Sequence, residues 1–160
     1  SQKNFNDIYW PSLIDVGTNS WIFSIPDILH TTPSRLEGIP LEDEIARRYK
    51  GILFILKVTR DLNLFHVTIY TSCVYFHRFF MRRSFKHYHH YEVAAAAIFL
   101  ACKVQENRRG YKELIIPVAR HSSKNMNLVV DSNTKEYWKW KETIDRLEEK
   151  LMEVLCFDII

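Results

Sequence analysis

The stretch YEVAAAAIFLACKVQEN at residues 91–107 decides the fold class of this chain. From Val93 to Val104 the residues are apolar almost all the way round a helix. A helix without a polar face is typical of a segment that is buried on every side. The four consecutive alanines at 94–97 let neighbouring helices approach closely. We therefore predict a central helix that other helices surround.

Helical spacing of apolar residues continues on both sides of this stretch. It predicts further helices at about 42–62, 67–83, 111–122 and 136–156. The apolar stripes of three of them are Ile45, Tyr49, Ile52 and Leu56; Ile69, Cys73, Phe76 and Phe80; and Trp140, Ile144, Leu147, Leu151 and Val154. Pro117 falls inside the fourth helix, and since proline removes a backbone hydrogen bond, we expect that helix to begin near Leu114.

The predicted fold is all-α, a single five-helix domain around a central buried helix, with an N-terminal extension. The extension covers residues 1–43, where prolines and glycines alternate with Trp10, Trp21 and Phe23. Tryptophans among such residues favour a segment packed on the domain surface. A short turn of helix is expected at 27–29. The domain itself is predicted at 44–160.

The composition is that of an ordinary globular domain. The 160 residues are 47% hydrophobic and 26% charged, and the net charge of +3 is too small to indicate nucleic-acid binding by itself. The three cysteines lack a CxxC spacing, which favours a reducing compartment. No run is long enough for a membrane span and no secretory start is seen, so we expect a soluble intracellular protein.

Sequence motifs for catalysis are missing. None of the four glycines forms a phosphate-binding loop, and neither GxSxG nor HExxH occurs. Cys102 lies in the predicted buried helix, where a thiol is usually inert. His87, His89 and His90 sit in one loop without a second ligand pair, so we expect no metal site and no cofactor.

Two charged features remain open on residue chemistry alone. Basic residues fill a segment that has no acidic residue between Asp61 and Glu92; they could grip phosphates or simply line a helix end. These residues are Arg78, Arg82, Arg83 and Lys86. Lys103 ends the central helix and Glu148 borders the last apolar stripe. If the two helices pack together, these charges form either a plain ion pair or a binding contact.

Three separated motifs resemble the cyclin box. They are YFHRFFMRRSF at 75–85, AAIFLACKVQE at 96–106 and LEEKLMEVLCFDI at 147–159. Toward the N-terminus, WIFS at 21–24, HTTPSRLEGI at 30–39 and EIARRYKG at 44–51 are similar to the transcriptional cyclins of the T, K and L group. The resemblance implies a non-catalytic subunit that forms a heterodimer with a cyclin-dependent kinase acting on the transcription machinery.

The resemblance also implies roles for particular residues. Lys103 falls on the family lysine that binds kinase backbone carbonyls, and Glu148 falls on its acidic partner, which meets backbone amides. An apolar pocket for the mobile C helix of the kinase is implied at Leu100, Val104, Met152 and Ile159. Arg48 falls on the arginine that braces the second helix, with His77 at the position where cell-cycle cyclins carry aspartate.

The same resemblance implies a nuclear protein that regulates RNA polymerase II elongation. Members of the group usually carry a second cyclin box, which this chain lacks, so we expect it to be part of a longer protein. Two alternatives stay open: a nucleic-acid-binding, cyclin-like general transcription factor of the IIB type, and a cyclin L-like splicing regulator. Nucleic-acid binding is not expected, given the modest charge.

Overall fold

The computed structural model describes residues 21–155. The predictions for Trp10 and Ile159 lie outside the described residues. Over 21–155 the chain forms seven helices and no strand: α1 (Ile25–His30), α2 (Pro33–Leu36), α3 (Leu41–Asp61), α4 (His66–Arg82), α5 (His90–Val104), α6 (Tyr111–Ser123) and α7 (Lys135–Val154). The prediction of an all-α fold with five long helices is confirmed.

Helix α5 is the centre of the domain. Every residue from Val93 to Cys102 is buried, and the helix packs against α3, α4 and α7. The imidazole of His89 caps its first turn by accepting a hydrogen bond from the backbone N–H of Tyr91. The uniformly apolar sequence therefore predicted the central position correctly, because a helix without a polar face needs neighbours all round.

Helices α3 and α4 meet at a glycine. A Cβ atom added to Gly51 would lie 2.1 Å from the ring of Phe76, so only glycine allows this approach. Phe76 is fully buried and belongs to a cluster of aromatic rings that includes Phe80 and Phe85. The rings of Phe80 and Phe85 stack with their centroids 3.6 Å apart. This cluster holds the connector after α4 against the core.

The stripe that predicted α3 does not face the core. Ile45, Tyr49 and Leu56 are exposed, whereas Phe54 and Val58 are buried. The helix buries a different face, which includes the polar residues Glu44 and Thr59. Their tertiary and local hydrogen bonds make that burial possible.

Helix α6 begins at Tyr111, so the expected start near Leu114 is wrong. Pro117 lies inside the helix and is buried. The hydrogen bond that proline cannot donate would go to the carbonyl of Glu113, an exposed residue of the first turn where water can reach the backbone. The helix ends at Ser123, and the C-cap residue Lys124 adopts the left-handed conformation with φ of 57°.

The segment before α3 is packed on the domain. The hydroxyl of Ser34 accepts a hydrogen bond from the backbone N–H of Phe85, and both groups are buried. The guanidinium of Arg82 lies 3.7 Å from the ring centroid of Trp21, and that of Arg78 lies 5.2 Å away. The division of the chain between residues 43 and 44 stays a prediction.

Among residues 21–155, no helix combines the length and the hydropathy that crossing a membrane requires.

Candidate functional site

Lys103 and Glu148 meet on the edge that α5 and α7 share. The Nζ atom of Lys103 donates to Oε1 of Glu148 over 2.7 Å. The lysine side chain is 45% exposed and the glutamate side chain 11%. The two helices thus bring together the two charges that the sequence placed beside apolar runs. The pair lies at the boundary between core and solvent, where a partner protein can reach it.

The apolar residues expected around this pair lie at different depths. Leu100 is buried beneath the surface, one turn before Lys103 on α5. Val104 and Met152 are half-buried and pack against the core. Met152 follows Glu148 by one turn of α7, so the charged pair is flanked by partly exposed apolar side chains.

An aromatic ring supports the ammonium group of Lys103. Its Nζ atom lies 4.3 Å from the ring centroid of Phe99, one turn earlier on α5. Phe99 in turn packs against Tyr111, with ring centroids 4.7 Å apart. Such cation–π contacts restrict a flexible lysine, so the ammonium is held in place before any partner arrives.

Arg48 forms the predicted contact with His77, and it also has a partner that sequence reasoning missed. Its Nη1 atom lies 3.1 Å from Nδ1 of His77, and its Nη2 donates to the carbonyl of Phe80 over 2.9 Å. This additional partner is the carboxylate of Glu44. Its Oε1 atom lies 3.3 Å from Nη2 of Arg48, and its Oε2 atom accepts a hydrogen bond from the hydroxyl of Thr32 over 2.7 Å. In the sequence, only the i,i+4 spacing of Glu44 and Arg48 on a predicted helix indicates that these two residues pair.

The protonation state of His77 suits this arrangement. Burial, and then the neighbouring charge of Arg48, lower the pKa of His77 to about 4. At neutral pH the imidazole is therefore uncharged, and its Nδ1 can accept a hydrogen bond from the guanidinium. Arg48, paired with the carboxylate of Glu44 on its own helix, thus contacts the C-terminal half of α4 through one imidazole and one backbone carbonyl.

The cysteines of the described segment are not activated. Burial raises the pKa of Cys102 to about 11 and raises the pKa of Cys73 as well. A thiol with a raised pKa is a poor nucleophile at neutral pH.

The loop histidines have structural partners. His87 pairs with Glu37 at 2.9 Å and His89 caps α5. Over residues 21–155, no three His, Cys, Asp or Glu residues are grouped so that they could hold a metal ion.

The basic residues at 78–86 are partly used within the domain. Arg78 and Arg82 lie over Trp21, and Arg82 donates to the carbonyl of Val154 over 3.3 Å. The interpretation as a helix-end residue fits Arg82, because its side chain joins the ends of α4 and α7. Arg83 is half-buried and Lys86 is exposed.

Over the described residues, this architecture of five long helices, one of which is buried at the centre, is consistent with a cyclin-box fold. The family model described as "Cyclin, N-terminal domain" matches residues 32–160, and the chain therefore belongs to the cyclin family. Cyclins are regulatory subunits of kinases.

Relatives place the chain within that family. It is 48% identical to Cyclin pch1 of Schizosaccharomyces pombe, over 88% of this chain and 41% of the relative. It is 36% identical to human Cyclin-K (87% and 23%) and 31% identical to mouse Cyclin-T1 (87% and 19%). These relatives confirm the resemblance to transcriptional cyclins of the T and K type. The chain spans less than half the length of each of them.

Proposed function

We propose that this chain binds a cyclin-dependent kinase through the edge of α5 and α7 and activates it toward the transcription machinery. The observation that carries the proposal is the Lys103–Glu148 pair, which is preformed at 2.7 Å and accessible at the domain edge. The relatives of the T and K type support the transcriptional assignment. The same proposal includes a nuclear location for the protein and a role in controlling elongation by RNA polymerase II.

The chemistry of the pair fits recognition of a helix end. An ammonium group can donate to kinase backbone carbonyls, while a carboxylate can accept from backbone amides. Val104 and Met152 flank the pair with partly buried apolar surface, to which the apolar side of the kinase C helix would dock. Leu100 lies underneath, and Ile159, outside the described residues, belongs to the same proposed contact.

Activation follows from preferential binding. A kinase without its cyclin holds the C helix turned away, so that its glutamate cannot pair with the catalytic lysine. A rigid surface complementary to the inward position alone shifts the kinase population toward that state. The cyclin contributes no catalytic atom, and Arg48 acts indirectly by keeping α4 against the core.

The test compares affinity with stability in single variants. Lys103→Ala and Glu148→Ala should each weaken binding of a purified transcriptional cyclin-dependent kinase subunit by roughly 2–5 kcal/mol, since the kinase groups left behind lose their partners. Lys150→Ala is the matched control, because Lys150 pairs with Glu153 on the same helix α7. It should cost under about 0.5 kcal/mol.

Calorimetric titration gives the affinity, and thermal melting of the same samples gives the stability. If Lys103→Ala lowers the melting temperature but the folded protein binds the kinase normally, the pair is a structural ion pair and the docking site lies elsewhere.

A further inference from the structure

A second lysine–carboxylate pair lies beside the first. Lys141 donates to Oδ2 of Asp145 over 3.1 Å on α7. The Nζ atom of Lys141 lies 4.4 Å from the ring centroid of Tyr111. The first pair has the same construction, with Lys103 over Phe99 at 4.3 Å. Each pair therefore consists of a lysine that contacts both a carboxylate and an aromatic ring, and the two pairs are neighbours.

The two pairs are connected by a contact between two aromatic rings and by their positions on one face of α7. Lys103 contacts the ring of Phe99, and Lys141 contacts the ring of Tyr111. These two rings pack against each other with their centroids 4.7 Å apart. On α7, residues 141, 145, 148 and 152 follow a four–three–four spacing, which places them on one stripe of the helix. Glu148 and Met152 lie on the same stripe. The second pair continues this stripe toward the N-terminus of α7.

The second pair is ordered by further contacts. The hydroxyl of Tyr111 donates to Oδ1 of Asp145. Burial opposes ionisation of Asp145, but the bonds from Tyr111 and Lys141 and the charge of Lys103 hold its pKa below the usual range. Burial and the bond to Asp145 raise the pKa of Tyr111, so its hydroxyl stays protonated. Asp145 therefore remains an anion with a fixed orientation.

Solvent reaches both members of this pair. The side chain of Lys141 is 32% exposed and that of Asp145 is 43% exposed. Both residues also line a shallow, largely open depression on the surface of α7, which Trp138 and Arg146 border. Lys141 uses one of three donors and Asp145 retains lone pairs, so each can bind a further group.

We infer that Lys141 and Asp145 form a second polar contact for the kinase, next to the contact made by Lys103 and Glu148. This inference rests on the proposed function. The second pair would bind a neighbouring segment of the same kinase that offers a hydrogen-bond acceptor to the lysine and a donor to the aspartate. Because both pairs are held rigidly on aromatic rings, the spacing between them selects the kinases whose polar groups match it.

The experiment uses Lys141→Met and Asp145→Asn, which remove charge while keeping side-chain size. Each should weaken binding of the purified kinase subunit by roughly five- to thirtyfold, the effect of losing a charge-assisted contact at a partly exposed site. Lys150→Met and Glu153→Gln are the matched controls, since that pair lies on α7 away from this stripe. They should change the affinity by less than about twofold.

The outcomes separate the inference from the function on which it rests. If Lys141→Met and Asp145→Asn bind like the controls while Lys103→Ala binds poorly, the second contact is rejected and the proposed docking edge stands. If Lys103→Ala and Glu148→Ala also bind normally, the docking edge itself is wrong and the second contact falls with it. Titrations are run well below the melting temperature of every variant, so that lost stability cannot imitate lost affinity.

Discussion

At the scale of single residues, Glu44 has a larger role than its position in the first turn of a helix suggests. It is 2% exposed, and its carboxylate joins Thr32, before α3, to Arg48, which in turn reaches α4. A buried carboxylate is tolerable only when its oxygens are bonded, and both oxygens of Glu44 are. The residue therefore ties the N-terminal segment and two helices together.

We expect Glu44→Ala to lower the free energy of unfolding by about 3 kcal/mol. The variant leaves the half-buried guanidinium of Arg48 without its carboxylate, and breaking one side of such a pair is strongly destabilising. Glu42→Ala, an exposed glutamate two residues earlier, should cost under about 0.5 kcal/mol. Urea unfolding followed by circular dichroism measures both. Equal midpoints for the two variants would contradict the assigned role of Glu44.

At the scale of helices, the approach of α3 to α4 depends on one missing side chain. Gly51 meets the ring of Phe76, whose other sides are covered by Phe80 and Phe85. Phe76 is fully buried, so its ring cannot move aside into solvent.

Gly51→Ala should destabilise the domain by up to about 2 kcal/mol even though alanine is the better helix former. The gain in helix propensity is about 1 kcal/mol, while forcing a methyl group into a filled core typically costs more. The double variant Gly51→Ala, Phe76→Leu should recover part of the loss, because the smaller side chain makes room for the methyl group. Thermal melting decides the point, and a higher melting temperature for Gly51→Ala would show that the helices can separate easily.

The periodicity of apolar residues predicted where the helices lie along the chain. It did not always predict which face of a helix is buried. The stripe of α7 was correct, since residues such as Trp140, Ile144 and Leu151 are all buried. The stripe of α3 was not, because this helix buries Glu44 and Gly51 and leaves Tyr49 in solvent. Burial of a carboxylate or a glycine depends on partners from other helices, which periodicity within one helix does not reveal.

The same limit applies to the candidate site. Lys103 and Glu148 could be named from sequence as a possible pair, because each borders an apolar run, but only the fold shows that the two helices pack together. The contact between Lys141 and Asp145 is visible as an i,i+4 spacing, yet nothing in the sequence distinguishes it from an ordinary surface pair. Its significance depends on Tyr111, which the fold brings from α6 to stand between α5 and α7.

At the scale of the whole molecule, two exposed surfaces of the described segment can be compared as sites for a partner. One is the edge of α5 and α7, with charged pairs fixed on aromatic rings. The other is the apolar stripe of α3, where Ile45 and Tyr49 are 56% and 67% exposed. The first surface offers paired charges beside apolar side chains, whereas the second is mainly an apolar stripe. Because complementary polar groups give specificity, our proposal places the kinase on the first surface.

Hydrogen exchange distinguishes the two surfaces in the intact chain. In the free protein, amides of the buried segment 93–102 should exchange most slowly, because they open only when the core unfolds. Saturating kinase should slow exchange in peptides covering 103–112 and 138–153, while a peptide covering 45–56 stays unchanged. The Lys103→Ala variant, at the same kinase concentration, should lose that added protection and keep the slow exchange of 93–102. Protection that appears over 45–56 instead would place the kinase on the apolar stripe of α3 and overturn the assignment.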